Sequence, residues 1–418
     1  MPPLQPLSPA EMPVHHKLSL TRKLVLLFMF CLAQFLDAFN NSALFSAIPV
    51  LEVSMGMTES QSTWIMSAFQ LTFASFLLIS GRISDVYNPK TGFVGGVLGL
   101  GVISLCAGCV GDTIPLIVLR ALTGIAASMT IPSALALLVN VFPEPLEQAR
   151  AIGTFGGCTC VASSLGLMIG AMFVQWASYH WVFWFVAIVA VPTALACAFI
   201  IPPEIANTKD NLEPAAAKWK SLDLLGVTIL TVALILFIFA VTSGSTDGWA
   251  SAAVLVPLII SIMMVIGFFY WETRIHVNIA AIPPRTWFYP NFSILFAVAL
   301  LPFFWWFTVF VMYTVLWQNV FEWSAISSAV HMLPIGVASF IMSFTGSLSR
   351  IFSPKWIILT GLSFCMVATV LLALGGGKPE DYWPYVFPAL SLGSAGVMLT
   401  YTHANRTFVD GRHSWCHL

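Results

Sequence analysis

Residues 62–90 read STWIMSAFQLTFASFLLISGRISDVYNPK. No charge interrupts Ser62 to Ser80, and Arg82, Asp85 and Lys90 then arrive within one short stretch. Crossing the hydrocarbon core of a bilayer takes about 20 predominantly apolar residues. This segment therefore reads as a membrane span that empties into a polar loop. Working outward, the same alternation repeats along the chain. Apolar runs lie near 24–49, 62–80, 91–110, 114–141, 151–175 and 182–201, and again near 222–243, 251–271, 290–317, 325–347, 356–376 and 384–402.

Composition agrees with that reading. Of 418 residues, 58% are hydrophobic and 8% are charged. A soluble domain carries roughly 25% charged residues, so lipid is the main solvent of this chain. The formal net charge of −1 gives no electrostatic case for a nucleic-acid partner. Seven of the eight cysteines fall in apolar runs, and the one C-x-x-C, Cys106 and Cys109, lacks the further ligands that zinc requires. No metal set, cofactor loop or nucleophile–base constellation is present, so no cofactor and no enzymatic reaction are expected.

Charge placement sets the topology. With the N-terminus in the cytoplasm and alternating spans, all but two of the seventeen Lys and Arg residues fall inside. The exceptions are Lys378, in an outer loop, and Arg120, within the fourth span. Basic residues concentrate on the cytoplasmic side of membrane proteins, so twelve spans with both termini inside are expected. The chain divides into a cytoplasmic N-terminal segment (1–23), a six-helix bundle (24–201), a cytoplasmic linker (202–221), a two-helix segment (222–271), a cytoplasmic loop (272–289), four further helices (290–403) and a tail (404–418). The fold expected is all-α and integral to the membrane.

Charged groups inside spans are functional by default. Asp37 sits midway along the first span, and Gln34, Asp37 and Asn41 share one helix face. Such a stripe must face protein or a water-filled cavity. Arg120 needs acceptors of its own, and Asp37, the acid within the core, is its expected partner, directly or through water. A carboxyl pulled one way by burial and the other by a guanidinium can take up or release a proton as geometry changes. Gln70 and Gln318 are candidate substrate contacts with Gln34 and Asn41; helix-to-helix bonding is the plainer role for such amides. His331 is a candidate proton carrier, although a lone buried His is more often simply satisfied.

Five stretches now carry a resemblance. Gly81-Arg82-Ile83-Ser84-Asp85 with Lys90 resembles the signature loop of the major facilitator superfamily, and Gly346 to Arg350 with Lys355 is a weaker echo in the second half. Leu36-Asp37 with Asn41, Ala47 and Pro49 is similar to the first-span motif of its fourteen-span drug:proton antiporters. Arg120 and Gly124 match the fourth-span motif, with Thr123 where Gln is usual. Gly153, Gly157, Gly166 and Gly170 resemble the fifth-span glycine ladder, with Leu167 and Ala171 in place of its Pro and final Gly. The run from Trp64 through Gln70 to Tyr87 is similar to the fungal aminotriazole-resistance branch.

The resemblance implies a major facilitator fold and proton-coupled efflux of small organic compounds through Asp37 and Arg120. Gating would fall to Gly81, Asp85, Lys90 and Arg350, and helix packing to the glycines. Partners would be a small-molecule substrate, protons and lipid around a monomer, in a plasma or vacuolar membrane. Aligned on the fourteen-span pattern, 222–271 is the inserted pair and the second bundle is two helices short, which suggests C-terminal truncation. An uptake carrier for amino acids or siderophores is the alternative within transport. A truncated, transport-incompetent membrane interaction partner is the alternative of another class.

Overall fold

In the computed structural model, the described residues are 18–86, 88–202, 223–275, 287–288, 291–375 and 377–415. Among them there are helices and turns but no strand. The first half comprises α1 (Leu20–Met55), α2 (Glu59–Val86), α3 (Pro89–Ala107), α4 (Thr113–Ser128), α5 (Thr130–Val141), α6 (Pro145–Trp176) and α7 (His180–Ile200). A helical pair follows, α8 (Leu224–Asp247) and α9 (Ala252–Glu272). The last part comprises α10 (Phe292–Val315), α11 (Ala325–His331), α12 (Leu333–Ser343), α13 (Pro354–Gly375) and α14 (Val386–Trp415).

Among the described residues, eleven helical stretches are long and apolar enough to cross a membrane. They coincide with the first eleven runs read from the sequence. The twelfth run lies in α14, whose buried residues include Ser394, Thr400 and His403 beside Ala389 and Leu390. Small and polar groups can face inward because neighbouring helices, not lipid, surround them. That composition keeps its hydropathy below that of the other spans.

Helix ends follow local chemistry. Ser19 caps α1 by accepting from the Arg22 N–H, and Gly56 closes it at φ 60°, where a Cβ would be strained. Asn88 caps α3 ahead of Pro89. The fourth span is not one helix: it breaks at Met129 into α4 and α5. The ninth span ends in a π-helical turn, Leu316–Val320.

Glycines seat α6 against both halves. Gly166 lies against Phe39 and Ser42 of α1, and a Cβ on Gly170 would sit 2.5 Å from the Ala43 carbonyl oxygen and 2.8 Å from Ala43 Cα. Nearer its start, Gly157 and Gly153 face Ser343 at the end of α12. Backbone atoms cannot rotate out of the way, so Gly170→Ala is expected to cost about 1–3 kcal/mol. Gly95, which has nothing within 4 Å of a built Cβ, is the matched control. Thermal unfolding in detergent should separate Gly170→Ala from Gly95→Ala, and equal midpoints would contradict this packing.

The pair α8–α9 packs on itself and reaches the first half through α2. The Thr231 hydroxyl donates to the Ser75 carbonyl at 3.1 Å, and the Phe239 ring lies 5.5 Å from that of Trp64. Along α9, Leu255, Val256, Ile259, Met263 and Ile266 stay exposed. Lipid is the solvent for that face.

Candidate functional site

The first span is the hub of a buried polar cluster that reaches four other helices. Gln34 Nε2 donates to Thr159 Oγ1 of α6 at 2.9 Å. Asp37 Oδ2 is hydrogen-bonded to Thr130 Oγ1 at the start of α5. Asn40 Oδ1 accepts from Arg120 Nη1 of α4 at 2.8 Å. Asn41 Oδ1 accepts from Gln70 Nε2 of α2 at 3.5 Å.

The expected ion pair is not formed. Arg120 is 1% exposed, and its Nε donates to the Ile65 carbonyl at 3.2 Å while the guanidinium lies 4.6 Å from the centre of the Phe69 ring. Carbonyl and amide oxygens supply acceptors without burying an opposite charge, and the aromatic face adds a cation–π contact. Asp37, 5% exposed, turns to Thr130 instead. Thr130 has one hydroxyl hydrogen but two oxygen neighbours, Asp37 Oδ2 and the Ala127 carbonyl, the latter at 2.7 Å. Four atoms of the cluster are buried without a hydrogen-bond partner: Gln34 Oε1, Asp37 Oδ1, Asn40 Nδ2 and Arg120 Nη2.

A cavity of about 80 Å³ lies against α6, between it and the second half. Gly156, Thr159 and Cys160 of α6 line it with Pro302, Phe303 and Trp306 of α10 and Val397, Met398 and Tyr401 of α14. Thr159 therefore touches both the polar cluster and this cavity. Trp306 stacks on Phe310 at 5.4 Å, and its indole Nε1 is buried and unpartnered.

The remaining candidates are dispersed. Gln318 falls in the π-helical turn of the ninth span, where its amide nitrogen is buried without a partner. No hydrogen bond joins it to the Asp37 cluster. His331 is satisfied through Nδ1, 2.7 Å from the Ser327 carbonyl, and is flanked by Trp323 and Tyr382. Lys90 does not stand free at the loop: its Nζ donates to the Ile201 carbonyl at 2.7 Å, as Arg22 does to that of Ile200 at 2.9 Å. Both cations sit at the C-terminal end of α7, where the helix dipole favours them. Gly81 has room for a side chain, with Pro132 Cβ 4.0 Å from a built Cβ, so close approach does not explain it. Gly124 does meet α2 tightly, at Phe69 and Thr72. Asp85 and Arg350 lie on helical backbone, but their side chains are outside the described residues, as are the linker from 203 to 222 and residues 276–286 of the following loop.

The family model described as Major Facilitator Superfamily matches residues 30–411. The chain belongs to the major facilitator superfamily. It is a multi-pass membrane transporter rather than an enzyme. Its relatives within the superfamily include the major facilitator superfamily multidrug transporter mfsC of Aspergillus fumigatus, 27% identical over 90% of this chain and 70% of that protein. Another is the puromycin resistance protein pur8 of Streptomyces alboniger, 26% identical over 87% of this chain and 71% of its own length. Among solved structures, a bacterial homologue of the human lysosomal transporter Spinster, in an inward-facing and unoccupied conformation, superposes with a TM-score of 0.54. The match covers 92% of this chain and 75% of that one at 15% identity, which carries the superfamily fold alone.

Proposed function

We propose that the chain is a proton-coupled exporter of small organic compounds, of the fourteen-span drug:proton antiporter type, with Asp37 as its proton site. The observation that carries this reading is the arrangement around Thr130. With Asp37 ionised, the single Thr130 hydrogen points to the carboxylate. With Asp37 protonated, the acid donates to Thr130, whose own hydrogen swings to the Ala127 carbonyl. The Oδ2–Thr130 hydrogen bond persists in either state, so a proton can arrive and leave with little rearrangement at that contact. Arg120 holds α1, α2 and α4 together beside that site, and its fixed charge biases the cluster without an ion pair.

The partnerless atoms Gln34 Oε1, Asp37 Oδ1, Asn40 Nδ2 and Arg120 Nη2 would each cost about 1–3 kcal/mol if left dry. They suit a region that water enters during the cycle. The aromatic cavity beside Thr159 would take the apolar body of a substrate, with the Trp306 indole N–H free to meet an acceptor. Rocking of the two halves about α6 would then expose this region to one side and the other in turn. The α8–α9 pair, attached through α2 and largely lipid-exposed, fits an insertion outside the transport core. Both termini are cytoplasmic in this reading, on the strength of the charge placement.

The test is flux in proteoliposomes containing only the purified chain. A pH gradient should drive saturable puromycin transport against its own gradient, abolished by a protonophore. Saturable transport indifferent to the pH gradient would favour a carrier that is not proton-coupled, and absence of any specific flux would reject the exporter.

A further inference from the structure

A groove of about 500 Å³ lies between α11–α12 and the start of α14, away from the polar cluster. Val337, Ala338 and Ile341 form one wall, and Trp383, Phe387 and Ser391 the other. It shares no lining residue with the cavity beside Thr159. Val337, Ile341, Trp383 and Phe387 are exposed along it, so it opens sideways to lipid. The sequence accounts for its shape. Pro334, which has no N–H, follows the break between α11 and α12, and the Ile335 N–H bonds the Met332 carbonyl. The His331 carbonyl is thereby released from the helical ladder, and the Tyr382 hydroxyl donates to it at 3.0 Å. Ala338 and Ser391 are too small to fill the space between the walls.

Its hydrogen bonds define what it lacks. His331 also lines the groove. The Ser327 carbonyl can only accept, so His331 Nδ1, 2.7 Å away, carries a ring hydrogen. In the neutral ring Nε2 is then an acceptor, and among the described residues no hydrogen bond reaches it. The hydroxyl hydrogens nearby are taken, that of Tyr382 by the His331 carbonyl and that of Ser391 by the Phe387 carbonyl at 2.9 Å. No Lys, Arg, Asp or Glu lines the walls. The occupant must therefore be apolar along its body and bring a hydrogen donor to the His331 end. A phosphodiester lipid has no hydrogen to give there, and its phosphate would find no cation. From His331 to Ile341 the groove runs about 15 Å at helical rise, half of a roughly 30 Å hydrocarbon core. On the topology read from charge placement, the His331 end is the outer one. A lipid that spans one leaflet, with a hydroxyl at its outer end and a rigid fused-ring body, is a sterol. Rigidity limits the entropy lost on binding, and the Trp383 and Phe387 rings, 5.4 Å apart, give its flat body an aromatic wall. We propose that this groove binds a sterol from the outer leaflet, the sterol hydroxyl donating to His331 Nε2.

The experiment is photolabelling of the purified full-length chain in phosphatidylcholine nanodiscs. The label is a cholesterol analogue with a diazirine in its tail and its hydroxyl intact. Labelled peptides, read by mass spectrometry, should cover the groove walls at 333–341 and 387–391. Unlabelled cholesterol should compete about five- to tenfold better than its ketone analogue, which has no hydroxyl hydrogen, as one hydrogen bond is worth. Ala338→Trp, which fills the groove from α12, should lower labelling there to the level left by excess cholesterol. His331→Phe should retain labelling but lose the preference for the hydroxyl. Labelling spread evenly over the lipid-facing sides of α9 and α13 as well, or unchanged in a folded Ala338→Trp protein, would overturn the site. So would displacement of the label by puromycin and not by cholesterol. Equal competition by the alcohol and the ketone on the wild type would also overturn the proposal, and that comparison depends on no variant folding.

Discussion

Asp37→Asn is expected to reduce pH-driven puromycin flux to the level of protein-free vesicles, while exchange of puromycin at equal pH on both sides persists. The substitution keeps the side chain's shape, and the amide oxygen can still accept from the Thr130 hydroxyl, so the α1–α5 contact survives. What disappears is the titratable proton. A coupled antiporter cannot complete its cycle without that exchange, but substrate can still shuttle in both directions if the proton is needed only to reset the carrier. The protein should therefore remain folded, with an unfolding midpoint near that of the wild type. Proton-driven flux at the wild-type rate in the Asn variant would remove Asp37 from the coupling path.

Arg120→Lys should impair transport at least tenfold and lower thermal stability, for a reason specific to geometry. The guanidinium reaches the Ile65 carbonyl and the Asn40 amide oxygen at once and lays a flat face on Phe69. An ammonium is a point charge on a flexible stem and cannot reproduce that fork. Each hydrogen bond from a charged donor is worth about 1.5–3 kcal/mol, so losing one leaves a large deficit in a junction of three helices. The same variant discriminates between the arrangement observed and a direct Asp37–Arg120 pair. Because Arg120 holds Asn40 and not Asp37, the pH midpoint of the residual transport should stay where it is in the wild type. A clear displacement of that midpoint would argue for direct pairing during the cycle. Full activity of the Lys variant would reduce Arg120 to a generic positive charge.

Much of this was legible in the sequence because the membrane imposes severe rules. Spans must be long and apolar, loops carry the charge, and eleven of the twelve runs become helices that meet both criteria. The twelfth, in α14, is less apolar because it is buried by neighbours and not by lipid, a tertiary fact that hydropathy does not see. Asp37 and Arg120 stood out as charges in oil, and the glycines of α6 as places for another helix. What failed was partner assignment. The stripe through Gln34, Asp37 and Asn41 leaves out Asn40, which lies only a small rotation from Asp37 on the same helix and holds Arg120. The signal available was that a buried guanidinium needs oxygen acceptors, and a neutral amide supplies one more cheaply than a second buried charge. Thr130 was hidden differently. Its position follows from the helix break at Met129, which leaves no periodic trace in an otherwise apolar run. Gly81 and Lys90 are legible by motif, but the motif does not show their surroundings, which are open space at Gly81 and the Ile201 carbonyl at Lys90.

If Asp37 is the proton site of the exchange, substrate binding should displace its proton, and a direct measurement follows the proton itself. Purified protein in weakly buffered detergent, with a pH-indicating dye, is mixed with saturating puromycin. The wild type should release protons, approaching one per chain, over a pH range in which Asp37 is protonated beforehand, and the Asp37→Asn protein should release none while still binding puromycin. Equal release from both proteins, or none from a wild type that demonstrably binds puromycin, would rule out Asp37 as the proton site.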